Sequence, residues 1–453
     1  MVGSGTRQTP GSGAGRLVGM NGLRGIAALA ILTTHTWDYG SPRARTEVAP
    51  IRSDVGFLNP VFLLFGLAVV LFFTLSGFLL YRRFAAAILG EVKRPSVREY
   101  ARARILRIVP AYWLILAVVG LIFSAALVRT SSETMEVGNL ATHPSALVAD
   151  FAFAQNYSPS TTVTGIGSTW TLVIEAIFYI TLPLLAMPLL AVATRVRSAR
   201  VRLGLALTAP LVLLMLGLAS KEAARISPRL FGNGWDGDWA SVFQRSFLFH
   251  ADLFAAGMTA AVLSVLIERG TLRIGRITRA GGLFGAATIL IVVPIAERHG
   301  AYPEILYEAT MSVCFALVLL GLATAAGRHS LLVGFFQWRP LALVGIVSYS
   351  LFLWHEPVAR WLSVHGATQP GTAGLAANIA LVAAVSLALA TLSYRFVERP
   401  FMALRKPRRT APASLEAAQP AAPVPDAAPL LGEAYPAVAV ADPIAGTQGT
   451  STG

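Results

Sequence analysis

The sequence predicts an all-α protein, a multi-pass transmembrane bundle of about ten helical spans with both termini in the cytoplasm. Composition is the first observation behind this prediction. Of the 453 residues, 55% are hydrophobic and 13% are charged, whereas soluble domains carry roughly 25% charged residues. This deficit excludes an ordinary soluble enzyme and a disordered chain. It favours a protein whose solvent is mostly lipid.

The second observation is the number and length of the apolar stretches. A helix needs ~20 apolar residues to cross the hydrocarbon, and ten stretches come near that length. They cover residues 22–39, 57–81, 108–128, 170–193, 203–219, 246–267, 281–296, 305–326, 341–363 and 373–394. Segment 146–154 is too short to span and is expected to lie at the interface.

The third observation is the distribution of basic residues. If the N-terminus is cytoplasmic, the segments on that side carry nearly three times as many Lys and Arg residues as the other side, as the positive-inside rule requires. The net charge of +14 is therefore assigned to cytoplasmic loops, and no nucleic-acid partner is expected. The single cysteine, Cys314, excludes an intramolecular disulfide and a cysteine metal cluster.

The predicted spans lie within a larger three-part organisation. Residues 1–18 are predicted to form a disordered arm, because they are mostly small or polar. Residues 19–406 are predicted to form the transmembrane domain. Residues 407–453 are rich in Pro and Ala and are predicted to form a disordered tail.

The first span contains two ionisable side chains, Arg24 and His35, which are costly at membrane depth and often mark function. Their spacing of eleven residues places them within about 20° of the same helical side and roughly 16 Å apart along the axis. His35 is then expected in the outer half of the membrane. The alternative is structural: Arg24 anchors the helix at the interface, and His35 is bonded to a backbone carbonyl.

The fourth span begins with Trp170 and contains Glu175. Because this span runs inward, Glu175 is expected at a depth like that of His35. A carboxylate there could fix the tautomer of the histidine, as in hydrolytic triads. The alternative is a structural pair within the bundle.

The entrance to the third span carries Arg104 and Arg107, which are neighbours on one helical face. Paired guanidinium groups suit phosphate; the alternative is ordinary positive-inside charge. Arg82 is grouped with them, although it could be a stop-transfer charge. The Ser76-Gly77 pair before it favours close helix approach.

Four further residues are candidates on the substrate side: Trp170, His355, His250 and Asp252. His355 is followed by Glu356 in a Trp-His-Glu-Pro run, for which an interfacial cap is the competing interpretation. For His250 and Asp252 a satisfied polar pair is favoured. The sequence offers no Cys/His cluster for a metal, and none is expected.

Together these segments resemble the acyltransferase 3 family of integral-membrane O-acyltransferases. The matching pieces occur in family order over roughly 20–404 and are LRGIAALAILTTH, FFTLSGFLLYRRF, RARILRIVPAYW, STWTLVIEAIFY, VSYSLFLWHEPV and SYRFVERPF. The resemblance implies about ten helices and acyl transfer from cytoplasmic acyl-CoA to a hydroxyl on a carbohydrate, glycan or macrolide-like acceptor.

The family's residues carry over to matching positions. Its Arg-x10-His pair falls on Arg24 and His35, its Arg-x-x-Arg on Arg104 and Arg107, and its Trp-x4-Glu on Trp170 and Glu175. Many members have a second polar residue after that glutamate, whereas here Ala176 follows. We expect no room for the soluble hydrolase-like domain that some members append.

The resulting expectation is an enzyme of the cell membrane that uses acyl-CoA, with acetyl as the expected group. His35 would be the general base, Glu175 would orient it, and Arg24 would hold a donor phosphate or the thioester. Arg104, Arg107 and Arg82 would bind the phosphates of the donor. The alternatives are a transporter or flippase, in which the same residues relay protons, and a membrane scaffold. The oligomeric state stays open.

Overall fold

A computed structural model of the chain describes residues 19–39, 59–129, 135–227, 229–230, 237–298, 302–324, 331–369 and 371–405. The predicted arm, 1–18, and the predicted tail, 407–453, lie outside the described residues. The described part is predominantly helical, which confirms the predicted fold class.

The helices are α1 (Met20–Tyr39), α2 (Asn59–Gly66), α3 (Ala68–Ile88), α4 (Val97–Ala117), α5 (Pro144–Phe151), α6 (Trp170–Ala193), α7 (Ala199–Ile226), α8 (Trp239–Gln244), α9 (Ala251–Glu268), α10 (Arg276–Arg298), α11 (Glu304–Ala323), α12 (Leu331–Phe336), α13 (Arg339–Val364), α14 (Gly371–Ser393) and α15 (Arg399–Ala403). Two π-helical turns, Val118–Ile122 and Tyr394–Glu398, continue α4 and α14. Two strands, β1 (Ala126–Arg129) and β2 (Met135–Gly138), pair antiparallel.

Nine helical segments in the described residues are long and apolar enough to cross a membrane. They are Leu64–Ile88, Val97–Ile122, Gly167–Ala193, Ala199–Ile226, Ala251–Glu268, Arg276–Glu297, Ile305–Ala323, Arg339–Val364 and Ala373–Ala403. Each overlaps one predicted span. The remaining predicted span is α1, which has 20 residues but is too polar to belong to this group.

Helix α1 packs along α13, and two glycines make the contact close. A Cβ atom on Gly345 would lie 1.7 Å from the carbonyl oxygen of Asn21, and one on Gly25 would lie 2.3 Å from that of Leu341. Small residues permit such backbone approach in membrane bundles. From Gly25 and Gly345 the two helices run in the same direction, and ten residues further along they reach His35 and His355.

Helices α3 and α9 cross in the same way. A Cβ on Gly77 would lie 2.3 Å from the carbonyl oxygen of Phe254, and one on Gly257 would lie 1.8 Å from that of Thr74. The close helix approach predicted for Gly77 is therefore present. Because Gly77 faces α9, its neighbour Ser76 points in another direction.

The described part of the connection between α4 and α6, residues 123–129 and 135–169, contains β1, β2 and α5, and we call it the cap segment. The third predicted span was misplaced at both ends. Helix α4 begins at Val97, where the Ser96 side chain accepts from the Glu99 amide, and residues 126–129 form strand β1 instead of helix. The β-branched and apolar residues there suited either structure. Segment 146–154 overlaps α5, which has eight residues and is too short to span, as expected.

Candidate functional site

A cavity opens between α1, α3, α4, α6 and α13. Its empty volume, including the part that is open to solvent, is about 870 Å³. Its polar lining comprises Arg24, Ser76, Arg104, Arg107, Thr171, Glu175, Tyr179, Ser348 and Tyr349. The remaining lining is mostly aliphatic and aromatic. Three of the predicted arginines and the predicted glutamate thus share one site.

The three arginines give this wall an excess of positive charge, because Glu175 is the only carboxylate among the lining residues. The Nε atoms of Arg24 and Arg104 are buried and have no hydrogen-bond partner among the described residues. The guanidinium of Arg104 lies over the Tyr179 ring, 5.8 Å from its centroid. Buried donors usually find a partner, so these groups suit an anionic ligand.

A fourth arginine, Arg405, approaches the same group from the end of α15, which packs on α4. Burial, together with the nearby charges of Arg107 and Arg104, lowers the pKa of Arg405 to about 10. Its Nε and Nη2 atoms are buried without a hydrogen-bond partner among the described residues. Sequence reasoning missed Arg405, because it follows the last span and resembles an ordinary flanking charge. We call the end of the bundle with these four residues the arginine end.

Glu175 has a partner that the sequence did not suggest. The Ser76 hydroxyl donates to its Oε1 atom at 2.5 Å, and both residues line the cavity with Arg24. Glu175 was expected at the depth of His35, as the group that orients it. The structure instead joins Glu175 to Ser76 and His35 to His355, so the expected pairing of Glu175 with His35 is corrected.

His35 and His355 form the second part of the site. His35 Nδ1 lies 2.8 Å from His355 Nε2, and the two rings stack with centroids 5.0 Å apart. His355 Nδ1 lies 3.2 Å from the Leu351 carbonyl oxygen, which can only accept. In the neutral pair, His355 therefore donates from Nδ1 and accepts at Nε2 from the Nδ1–H of His35. That tautomer places the lone pair of His35 on Nε2.

Glu356 and Arg360 extend this pair toward the cap segment. The Glu356 carboxylate accepts from the Ser168 amide and from Arg360. Arg360 also donates to the Ala125 carbonyl at 3.0 Å. The polar side chains on this stretch of α13 are buried: Ser350, His355, Glu356 and Arg360. The cap segment is thus fastened to α13 beside the histidines.

The histidine pair lies beside the cavity, although neither histidine is among its lining residues. Ile31 lines the cavity one helical turn before His35, on the side of His35 that leads to Arg24. Phe352 lines it from α13, and its ring centroid lies 5.7 Å from that of His355. The cavity therefore reaches residues that contact the histidine pair, while Arg24, Ser76 and Glu175 line it together.

Arg82 does not belong to this site. Its guanidinium forms an ion pair with Glu268 of α9 at 2.5 Å, and it is absent from the cavity lining. The prediction that Arg82 joins Arg104 and Arg107 is therefore corrected. One face of α3 supplies the lining residues, and Arg82 lies on the face that meets α9.

His250 and Asp252 lie in a separate polar cluster. Asp252 pairs with Lys221 at 2.8 Å, Lys221 with Glu308 at 3.2 Å, and His250 Nδ1 lies 3.6 Å from Glu308. The Trp170 ring lies 5.4 Å from that of His250. The polar pair favoured from the sequence stays a prediction, because Asp252 pairs with Lys221 and not with His250, whose ring nitrogens have no hydrogen-bond partner among the described residues. Among the described residues, no group of three or more His, Cys, Asp or Glu side chains could hold a metal ion.

The sequence is similar to those of known acyltransferases. The family model described as an acyltransferase domain matches residues 17–395. A Bacillus subtilis strain 168 protein, provisionally named peptidoglycan O-acetyltransferase YrhL, is 24% identical over 398 residues, or 84% of this chain and 54% of that protein. Peptidoglycan O-acetyltransferase OatA of Listeria monocytogenes serovar 1/2a is 29% identical over 117 residues, 26% of this chain and 18% of that protein. The chain thus spans about half the length of YrhL and less of OatA. No solved structure matches.

Proposed function

The chain belongs to the acyltransferase 3 family, and from this premise we propose that it transfers an acetyl group from acetyl-CoA to a hydroxyl of a cell-wall glycan. Three arginines, two of them with buried Nε atoms that have no hydrogen-bond partner among the described residues, face one cavity, and a histidine pair lies beside that cavity. This observation carries the proposal. The family supports acyl transfer, and the names of the two relatives support a glycan acceptor and an acetyl group.

The arginine end would bind the donor. Coenzyme A carries several phosphate charges, and planar guanidinium groups bind phosphate through paired, charge-assisted hydrogen bonds. Arg104, Arg107 and Arg405 would hold these phosphates. Arg24 lies further along the cavity beside Glu175, where it suits the thioester carbonyl, which gains negative charge as it is attacked.

The histidine pair would supply the proton chemistry. Attack by an acceptor hydroxyl requires removal of its proton, and the lone pair on His35 Nε2 can take it. His355 Nε2 holds the Nδ1–H of His35, so the tautomer and the ring orientation are fixed. The negative charge of Glu356 would stabilise the imidazolium that forms, as the aspartate does in hydrolytic triads.

The proposed orientation in the membrane follows from where the donor and the acceptor are found. The arginine end would face the cytoplasm, where acyl-CoA is found, and this orientation agrees with the distribution of basic residues. The histidine pair would then lie toward the outer side, where a cell-wall glycan is available. This places the enzyme in the cell membrane.

The test uses the purified full-length protein in lipid nanodiscs with acetyl-CoA and soluble muropeptides. We expect release of free CoA thiol that depends on muropeptides, together with new O-acetyl esters. Replacing Arg104 and Arg107 by alanine should raise the acetyl-CoA requirement at least about tenfold, since charge-assisted hydrogen bonds are each worth about 1.5–3 kcal/mol. Arg269, which pairs with Glu91 at 2.9 Å, is the matched control, and Arg269→Ala should leave the requirement unchanged.

Two outcomes would contradict the proposal. A protein that binds acetyl-CoA but never consumes it would favour the transporter alternative. An unchanged donor requirement in the double alanine variant would reduce the arginine pair to topology signals.

A further inference from the structure

The Ser76 hydroxyl and the Glu175 carboxylate form a pair in the wall of the cavity. Ser76 Oγ donates to Glu175 Oε1 at 2.5 Å, and both side chains stay partly accessible within the cavity. Their neighbours Leu75, Gly77 and Ile174 are buried. Helix α3 therefore turns its glycine to α9 and leaves the adjacent hydroxyl facing the cavity.

A serine that donates to a base is the arrangement of an activated nucleophile. We propose that Ser76 takes the acyl group from the donor thioester and carries it as a serine ester before the acceptor is acylated. The inference rests on the proposed function, because it requires an acyl thioester donor. It goes beyond that function by adding a covalent step and a catalytic residue.

The first half-reaction balances as follows. Ser76 Oγ attacks the thioester carbon while its proton moves to Glu175. The carbon–oxygen ester bond forms, the carbon–sulfur bond breaks, and Glu175 passes the proton to the leaving thiolate. Arg24, whose Nε atom has no hydrogen-bond partner among the described residues, lies in the same cavity and would stabilise the oxyanion of the tetrahedral intermediate.

The second half-reaction uses the histidine end. The acceptor hydroxyl loses its proton to His35, and its oxygen attacks the carbonyl carbon of the serine ester. The new ester bond forms as Ser76 Oγ leaves. The proton held by His35 restores the serine hydroxyl through solvent in the cavity, so the enzyme returns to its starting state.

The position of Ser76 explains why such a relay would be useful. Donor phosphates would bind at the arginine end, whereas His35 lies one turn past Ile31, outside the residues that line the cavity. Arg24 and His35 are roughly 16 Å apart along α1. An ester on Ser76, which lines the cavity with Arg24, would let the spent CoA leave before the acceptor reacts.

A second serine–glutamate pair in the protein provides the comparison. The Ser350 hydroxyl donates to Glu398, but both residues are buried, and neither lines the cavity. That pair has the same hydrogen bond without access to a ligand, so its role is structural. Ser350→Ala also keeps the second bond to Glu398, which comes from the Ser350 amide.

The experiment is isotope exchange without an acceptor. The full-length protein in nanodiscs is incubated with acetyl-CoA and radiolabelled CoA, and labelled acetyl-CoA is measured. A serine ester predicts exchange, and it predicts one acetyl group per chain on the peptide that contains Ser76. Ser76→Ala should lose both, and Glu175→Gln should slow exchange by at least about 10²-fold, the typical contribution of a positioned base. Ser350→Ala should exchange like the wild type.

Two further measurements separate the possible failures. Acetyl-CoA binding by Ser76→Ala shows that this variant folds, and Ser76→Cys should restore exchange through a thioester. A wild type that acetylates muropeptides without any exchange, or a Ser76→Ala variant with normal transfer, overturns the serine ester and leaves the proposed function intact. A wild type that consumes no acetyl-CoA, even with muropeptides, overturns the proposed function itself.

Discussion

Replacing His355 by phenylalanine tests the role of the histidine pair. His355 is 1% exposed and stacks on His35 with an interplanar angle of 12°. Phenylalanine keeps the ring and its stacking but removes the Nε2 acceptor. The variant therefore removes the hydrogen bond to His35 together with the bond from His355 Nδ1 to the Leu351 carbonyl.

The expected loss follows from the charge that develops on His35. As His35 takes the acceptor proton, its Nδ1–H becomes a cationic donor, and a hydrogen bond to a charged group is worth about 1.5–3 kcal/mol. Each 1.36 kcal/mol is a factor of ten in rate, so His355→Phe should lower turnover by about 10–10²-fold. His35→Ala removes the base itself and should lower turnover by at least about 10²-fold.

The assay is muropeptide-dependent release of CoA, with the acetyl-CoA dissociation constant measured on the same samples. That constant should stay unchanged, because neither histidine lines the cavity with the arginines. His355→Gln should recover part of the rate, since its amide oxygen can accept from His35. The double variant His35→Ala/His355→Phe should turn over no more slowly than His35→Ala alone, because the effects of mutating residues that act as one unit are not additive.

Two results would refute this reasoning. Near-normal turnover of His355→Phe would show that the pair is structural. A double variant whose loss equals the product of the two single losses would show that the histidines act independently.

Three other predictions concern topology, the cap segment and the helix crossing. Ser198→Cys should be labelled only from the cytoplasm and Ser160→Cys only from outside; labelling of Ser198→Cys in intact cells by an impermeant reagent would contradict the orientation. Burial raises the pKa of Asp150 to about 8, above its usual 3.8. The folded cap then holds a proton that the unfolded chain releases, so cap stability should be highest below about pH 4 and fall as the pH rises to about 8. Amide exchange protection of residues 144–165 should follow this trend, and Asp150→Asn should abolish it. Gly345→Ala should destabilise the protein by about 1–3 kcal/mol through overpacking against α1, whereas Gly334→Ala, which meets nothing within 4 Å, should leave the melting temperature unchanged.

The sequence was sufficient for the helical spans and for three of the four residues of the arginine end, Arg24, Arg104 and Arg107. Apolar length identifies a span regardless of its neighbours, so nine predicted spans recur in the structure. Arg104 and Arg107 are three residues apart, and helical geometry alone places them together. Arg24 was identified as a candidate because a charge is costly to bury in a membrane and therefore often marks function. All of these inferences use local spacing along one helix.

Pairings between helices were beyond the sequence. His35 and His355 are separated by 320 residues, and their contact depends on the glycine crossing of α1 and α13. Glu175 was assigned a depth by counting from Trp170. The spacing along α6 does not show how α6 packs against α3, and this packing brings the Glu175 carboxylate to Ser76. Arg405 lies outside every apolar stretch, so hydropathy gave no reason to consider it.

The polarity of α1 connects these observations. Among the ten predicted spans, α1 is the one that is absent from the nine long apolar segments of the described residues. It carries Arg24, which lines the cavity, and His35, which pairs with His355 beside it. A helix with this many polar groups could not face lipid at low cost. It is accommodated because α13 covers it at close range through Gly25 and Gly345, while Thr33, Thr34 and Thr36 bond to carbonyls four residues earlier in their own helix. The low hydropathy of α1 is therefore the physical consequence of placing both ends of the site on one buried helix.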